Sequence, residues 1–252
     1  MSEPRADVVE EGRRLITLAE RENLPLRLLG GVAIRLRGPE TGHSALERSY
    51  ADLDFAAGKG SSRKAASFFE VTGYVPDVAF NTLQGSERLL FWDGANRRQV
   101  DVFVGAFSMS HKIPLSDRLE LEPVSVPLAE LLLTKLQIAE LNEKDVQDTL
   151  ALLLEHPVGD EDGDTVNAAR VAALCAADWG LWRTITGNLE ATLAHLDAYA
   201  LSGDEQRLVA DRARALLDRI EAEPKSRAWR LRARIGERKR WYELPEEVAG
   251  GP

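Results

Sequence analysis

The sequence predicts an α+β protein, with a mixed sheet flanked by helices in its first half and helices alone in its second. Up to about residue 125, short apolar runs of strand length alternate with helical patterns. Beyond that point the apolar residues recur only with the period of a helix. We therefore expect an α/β domain over residues 1–125 and an all-helical domain over residues 126–252.

The predicted elements of the first half alternate between helix and strand. Helical periodicity covers residues 7–22 and 63–73, and a short helix follows the first strand over residues 32–38. Strands are predicted over residues 26–31, 50–57, 87–93 and 97–107. Gly94-Ala95-Asn96 joins the last two strands, which predicts a hairpin. Residues 108–126 are expected to form a loop.

The second half predicts six helices, over residues 127–141, 144–155, 164–177, 179–198, 203–222 and 225–241. Pro127 suits the first turn of a helix, and Asp164 is a candidate N-cap of the third.

Composition limits the class of protein. The chain has 252 residues, of which 44% are hydrophobic and 29% charged, as in a folded globular protein. A single cysteine, Cys175, cannot form an internal disulfide, so we expect a cytoplasmic protein. We expect no membrane partner, because the N-terminus lacks the apolar core of a signal peptide and charges interrupt the most apolar stretch.

Three acids stand on two of the predicted strands. Asp52 and Asp54 point to the same face of one strand, because side chains alternate along it. Asp101 lies in a strand that is otherwise apolar, where a lone carboxylate is costly. If the two strands are neighbours, the three carboxylates converge and need a cation. Mg²⁺ prefers such oxygen ligands, and two Mg²⁺ ions can serve phosphoryl or nucleotidyl transfer.

Gly30-Gly31 separates the first strand from the helix that follows it. Glycines at such a position allow backbone N–H groups to approach a phosphate closely. A plain structural turn is the alternative interpretation.

Together these motifs resemble the nucleotidyltransferase superfamily related to DNA polymerase β, whose members combine a Gly-Gly or Gly-Ser turn, an Asp-x-Asp pair and a third strand acid. Residues 26–155 carry the resemblance, through "LLGGVAIRL", "ADLDF" and "QVDVFV". The stretch "LLLTKLQIAELNEKDVQDTLALL" is similar to AbiEii-type toxin nucleotidyltransferases, which carry a helical lysine and a Lys-Asp-x-x-Asp-like motif. The matching positions here are Lys135, Lys144, Asp145 and Asp148.

The resemblance implies metal-dependent transfer of a nucleoside monophosphate from a nucleoside triphosphate (NTP) such as ATP to a hydroxyl group, with release of pyrophosphate. Asp52, Asp54 and Asp101 would bind two Mg²⁺ ions, or Mn²⁺, and Asp101 would also help to deprotonate the acceptor. Gly30 and Gly31 would cradle the phosphates. The implied acceptor is RNA, such as a tRNA 3′ end, in a toxin–antitoxin setting with an antitoxin protein as possible partner.

The lysines and arginines near these motifs have simpler interpretations too. Lys135 would neutralise the triphosphate or pyrophosphate, or it would only extend over an apolar stripe with its ammonium in water. Lys144 and Asp148 are spaced as a surface ion pair, whereas the resemblance implies that Asp145 or Asp148 orients a lysine or the substrate hydroxyl. The family more often has serine where Gly31 stands. Arg48 could reach phosphates, although a solvated charge is the simpler expectation.

The segment 225–240 is strongly basic, with eight basic residues and one acid, although the whole chain has a net charge of −9. On a helix it would present Arg227, Arg230, Arg234 and Arg238 on one face, with aromatic residues interleaved, which favours RNA binding. The alternative is a docking helix whose arginines pair with the acidic remainder of the chain.

Two other functions remain open at this point. One is a small-molecule nucleotidyltransferase of the aminoglycoside-modifying kind, and the other is a nucleotide-binding module without catalytic activity. The sequence does not distinguish their acceptors, base preference or oligomeric state.

Overall fold

The computed structural model describes residues 3–39 and 42–244, and it confirms the predicted fold class. A five-stranded mixed sheet is flanked by helices and followed by a helical half. The strands of this sheet are β1 (Leu26–Leu29), β2 (Asp52–Ala57), β3 (Val75–Pro76), β4 (Arg88–Asp93) and β5 (Arg98–Val104). Two small sheets pair β6 (Ala106–Ser108) with β7 (Lys112–Pro114), and β8 (Val158–Gly159) with β9 (Val166–Asn167).

The helices that flank the sheet and build the second half are α1 (Val8–Arg21), α2 (Gly30–Arg37), α3 (Ser62–Val71), α4 (Val78–Gln84), α5 (Leu128–Leu136), α6 (Glu143–Glu155), α7 (Ala168–Ala177), α8 (Trp179–Ala194), α9 (Gly203–Ala222) and α10 (Arg227–Ile235). Among the described residues, no helix is long and apolar enough to cross a membrane.

The sheet has the strand order β1-β2-β5-β4-β3, in which β2 and β5 are parallel and the other neighbours are antiparallel. One face is apolar and buried against α1 and α3, where Phe55 and Phe91 contact Phe69 at ring-centroid distances of 5.5 and 4.9 Å. Because side chains alternate along a strand, Asp52, Asp54 and Asp101 lie on the opposite face.

Several predicted boundaries are wrong for identifiable reasons. The third helix of the second half begins at Ala168 rather than 164, because Asn167, not Asp164, caps it by accepting from the Arg170 N–H at 2.9 Å. Helix α5 ends at Leu136 rather than 141, where the Asn188 amide donates to the carbonyls of Leu136 and Ile138. The predicted helix 225–241 ends at Ile235, because Gly236 adopts a φ of 59°.

The short elements were missed at the sequence level. They include β3, α4, β8 and β9, and also β7, which lies in the region predicted to be a loop, whereas most of β6 falls in the predicted strand 97–107. The boundary predicted at residue 125 lies in a segment that is hydrogen-bonded to β1 through Leu28, and one apolar core contains residues of both halves. The division into two domains therefore stays a prediction.

Candidate active site

The parallel pair β2–β5 brings two of the predicted acids side by side. Asp54 and Asp101 are register partners, and Asp52 is opposite Gln99, two positions earlier. Register partners point to the same face, so the three acids form one cluster, as the sequence predicted. Exposure decreases across it: Asp52 is exposed, Asp54 is partly exposed, and Asp101 is only 4% exposed.

The cluster carries more negative charge than its surroundings balance. Burial, the charge of Asp101 and the charge of Asp52 together raise the pKa of Asp54 to about 7, although Lys135 and Arg88 act in the opposite direction. Asp54 accepts no hydrogen bond from any side chain in the described ranges. A carboxylate left in this state at the end of a sheet is ready to bind a cation.

Asp101, in contrast, already has partners. The Arg88 guanidinium donates to its Oδ1 from Nε at 2.7 Å and from Nη2 at 2.6 Å, and the Gln99 amide donates to Oδ2 at 2.7 Å. Leu90 of β4 is the register partner of Asp101, and Arg88 lies two residues before Leu90. The side chain of Arg88 therefore points to the same face of the sheet as that of Asp101. Sequence reasoning missed Arg88, although an arginine alternating with buried Leu90 in an apolar strand was a usable signal.

The donor set fits a hard divalent cation, but the site is not preformed. Within the described residues no group of three or more His, Cys, Asp or Glu side chains is arranged to hold a metal ion. Arg88 and Gln99 donate to the two oxygens of Asp101. Carboxylate oxygens with an excess of negative charge are nevertheless the chemistry that Mg²⁺ requires. Asp52, Asp54 and Asp101 as ligands of Mg²⁺ stay a prediction.

The two glycines lie against side chains of this site. Helix α2 begins at Gly30 directly after β1, and Gly30 has a φ of +64°. A Cβ at Gly30 would overlap the carboxylate of Asp54, and one at Gly31 would overlap the guanidinium of Arg48. Glycine at 31, where the family more often has serine, therefore leaves room for Arg48. Gly30 is required by its φ and by its contact with Asp54, whereas at Gly31 the end of the Arg48 side chain would have to move.

A second group of charges surrounds Lys135. Its ammonium lies 2.9 Å from Oδ2 of Asp148 and 3.4 Å from Oδ1 of Asp145. Burial alone would lower the pKa of Lys135, but the two carboxylates outweigh burial and raise it. With a side chain only 13% exposed, Lys135 does not extend into water, so that alternative is wrong. Both Asp145 and Asp148 contact the lysine, and their role in orienting it stays a prediction.

The expectation of a solvated charge at Arg48 is wrong. Instead, Arg48 donates to both oxygens of Asp148, at 2.8 and 2.7 Å, and its side chain is 12% exposed. Since Asp148 is thereby buried between Arg48 and Lys135, the predicted surface pair of Lys144 with Asp148 is wrong. Lys144 is exposed, and no ion pair within the described ranges involves it.

The basic segment does not dock through paired arginines, which was one of its two sequence interpretations; the other, RNA binding, stays a prediction. Helix α10 contacts the body through Trp229, whose indole donates to the carbonyl of Cys175 at 3.0 Å and packs edge-on against Trp182. Among the described residues, the arginines of the segment form no ion pair with the acidic remainder. Those at positions 227, 230, 234 and 238 are all exposed, and within the described part of the chain none of them forms an ion pair.

Two grooves connect this segment with the acids. The tail groove has a volume of about 820 Å³ and is lined by His111, Trp179, Trp229 and Trp241, among others. The acid-side groove, of about 230 Å³, is lined by Phe80, Arg88, Phe103 and Met109, among others. Glu87, Ser108 and Glu243 line both, so the two grooves are contiguous. The path therefore ends at the arginine that holds Asp101.

Comparisons with known proteins add little to this geometry. No model of a protein family matches the chain, and no curated protein matches it. Among solved structures, the chain is similar to the lincosamide antibiotic adenylyltransferase LnuA in its lincomycin-bound form, with 17% identity, a TM-score of 0.38, and coverage of 56% of this chain and 92% of the other. At this level of similarity the neighbour assigns neither an activity nor an acceptor to this chain, and the AbiEii-type relationship stays a prediction.

Proposed function

We propose that the protein is a metal-dependent nucleotidyltransferase, which moves a nucleoside monophosphate from an NTP to a hydroxyl acceptor and releases pyrophosphate. The contact between Asp54 and Gly30 carries this proposal. It puts an unbalanced carboxylate directly against the backbone at the N-terminus of α2, where a phosphate is favoured. A cation and a phosphate would therefore meet at one point.

The residues of the chain divide the work of this reaction. The acceptor O–H loses its proton, its oxygen bonds to the α-phosphorus, and the bond from that phosphorus to the bridging oxygen breaks. Asp52, Asp54 and Asp101 would hold Mg²⁺, or Mn²⁺, and Asp101 would also help to take the proton. Bound there, the ions would neutralise phosphate charge and align the attacking oxygen of the acceptor with the leaving oxygen of pyrophosphate.

Phosphate binding falls to the surrounding groups. The backbone at Gly30 and Gly31 would approach the triphosphate, and Lys135 would offset charge on the triphosphate or the leaving pyrophosphate. Asp145 and Asp148 would orient Lys135. In place of the absent serine hydroxyl, the Arg48 guanidinium lies over Gly31, where it would face the same phosphates.

RNA is the acceptor that we propose. The support is electrostatic: the arginines at positions 227, 230, 234 and 238 are exposed and, in the described ranges, not compensated by carboxylates. The groove that continues to Arg88 is lined by other basic residues of the same segment, namely Arg232, Lys239 and Arg240. A tRNA 3′ end as the target and an antitoxin as the partner rest on the family resemblance.

A labelling experiment tests the activity and the acceptor together. Each α-labelled NTP is incubated with Mg²⁺ and either total RNA or a panel of amino sugars and lincosamides, with Asp54→Asn as the inactive control. Label in RNA is the expected result, whereas label only in a small molecule would mean that a small molecule, and not RNA, is the acceptor. Tight NTP binding without pyrophosphate release from any mixture would contradict the proposed activity and indicate a non-catalytic module.

A second experiment addresses the basic segment. Replacing the arginines at 227, 230, 234 and 238 by glutamine should weaken RNA binding at least tenfold and reduce its salt dependence, because fewer counterions are released. The matched control replaces four exposed arginines elsewhere, at positions 13, 21, 63 and 207, and should leave RNA affinity nearly unchanged. Equal losses in both variants would mean that only net charge matters.

A further inference from the structure

We propose that Arg88 holds the carboxylate of Asp101 in the metal-free protein and releases it when a divalent cation binds, so that Arg88 sets the affinity of the site for the cation. The inference rests on the proposed function in one respect, namely that the acid cluster is the metal site. It makes Arg88 a positioning residue, which acts through Asp101 rather than on the substrate.

The contacts of Arg88 explain how it would compete with a cation. Two of its guanidinium nitrogens point at the same oxygen, Oδ1 of Asp101, at 2.7 and 2.6 Å. The other oxygen accepts from Gln99, a neutral donor. A cation that binds Asp101 must displace at least one of these donors, and the charged pair is the stronger of the two. Asp54, which has no such donor, is free to bind first.

The acid-side groove offers the guanidinium of Arg88 an alternative position. The guanidinium carbon lies 5.5 Å from the ring centre of Phe80 and 5.2 Å from that of Phe103, within the range of cation–π attraction. One of its nitrogens is 3.9 Å from the sulfur of Met109. These three residues line the acid-side groove, which has an open volume of about 230 Å³. A short displacement into it would free Asp101 and keep the aromatic contacts.

Electrostatics gives the direction of the expected effect. With Arg88 in place, an incoming divalent cation meets a positive guanidinium beside its own ligand. Without the arginine, the same carboxylates would attract the cation more strongly. A residue that merely stabilised the fold would have the opposite effect, because its loss would disorder the ligands and weaken binding.

The test measures Mn²⁺ binding by electron paramagnetic resonance at pH 8 without nucleotide. Arg88→Met should bind Mn²⁺ at least tenfold more tightly than the wild type. Arg88→Lys, which keeps the charge but loses the two-pronged contact, should gain about threefold. The matched control Arg63→Met removes one positive charge from an exposed position on α3 and should leave the affinity unchanged.

Each outcome decides the question. Unchanged or weaker Mn²⁺ binding in both folded Arg88 variants overturns the inference, and Arg88→Lys alone decides it if the methionine variant does not fold. A gain that survives in the Arg88→Met/Asp101→Asn double variant also overturns it. Failure of the proposed function is separate: if the wild type releases no pyrophosphate from any NTP, nucleotidyl transfer is refuted, while the Mn²⁺ gain still stands.

Discussion

Two carboxylate sites of this protein differ in how their charge is compensated. Glu130 on α5 is fully buried and accepts hydrogen bonds from Arg118 at 2.8 and 3.1 Å and from Arg170 at 2.9 Å. Arg118 is shared with Asp162, so that acids and arginines alternate. Asp54 has a like-charged neighbour, Asp101, and a pKa raised to about 7.

The difference is the basis on which we propose Asp54, rather than Glu130, as a ligand-binding carboxylate. A carboxylate whose oxygens already accept hydrogen bonds from arginines has a structural role, whereas one whose charge is not compensated by the protein is the better candidate to bind an external cation. Both acids occur within apolar sequence, so sequence alone does not separate them. Substituting each acid in turn should therefore produce opposite results.

The largest effect is expected for Asp54→Asn. Removing this carboxylate should lower the rate of nucleotidyl transfer by about a thousandfold or more, because it removes a ligand of the ions that offset the developing charge. The folded state should be at least as stable as the wild type. Pyrophosphate release and thermal unfolding measure the two properties, with exposed Asp211→Asn as the control. Full activity in Asp54→Asn would refute the mechanism.

The reverse result is expected for Glu130→Gln. It leaves Arg118 and Arg170 with less negative charge in a buried cluster, which should lower the free energy of unfolding by about 3–5 kcal/mol. Activity per folded molecule should stay within about threefold of the wild type at low temperature. Urea denaturation followed by an activity assay separates the two effects. A large loss of activity with unchanged stability would place Glu130 in the functional site.

This contrast also shows how far the sequence could lead. The cluster of Asp52, Asp54 and Asp101 was predictable, because strand alternation and one assumption of adjacency place the three acids together. Arg88 was not recognised, and the pairing of Arg48 with Asp148 was not foreseen, because the partner of a long side chain depends on strand order and loop path, which local patterns do not encode. The short β3 and β7 were missed for a related reason: they have too few residues for a period to show.

The basic segment shows the same limit in another form. Its charge and aromatic content were visible in the sequence, but the way it docks depends on a hydrogen bond from Trp229 to a carbonyl 54 residues away. Only a structure reveals that Trp229 attaches this helix, and that Arg232 contacts the body through the ring of Trp179 rather than through a carboxylate. The charge was predictable and its accessibility was not.

A smaller effect is expected from alanine at the two glycines. Gly30→Ala should lower the free energy of unfolding by about 2–3 kcal/mol, because its φ of +64° is strained for alanine and its Cβ would displace Asp54. Gly31→Ala should cost less, since the mobile end of Arg48 can yield. Gly94→Ala, with no atom within 4 Å of its Cβ, is the control. Chemical denaturation gives the order, and equal costs at 30 and 31 would contradict it.

The smallest effect is a pH dependence that isolates the unbalanced charge of Asp54. The pKa of this carboxyl is raised from 3.8 to about 7, so the folded protein binds the proton more tightly than the unfolded chain. Its contribution to stability is therefore complete at low pH and decreases as the pH rises from about 4 to about 7. Asp54→Asn lacks this titration, so its stability relative to the wild type should rise across that range and then level off. Thermal unfolding at steps of pH measures the difference. Mg²⁺ at pH 8 should reduce it by stabilising only the wild type, whereas a difference that is independent of both pH and Mg²⁺ would mean that the charge of Asp54 is balanced within the protein after all.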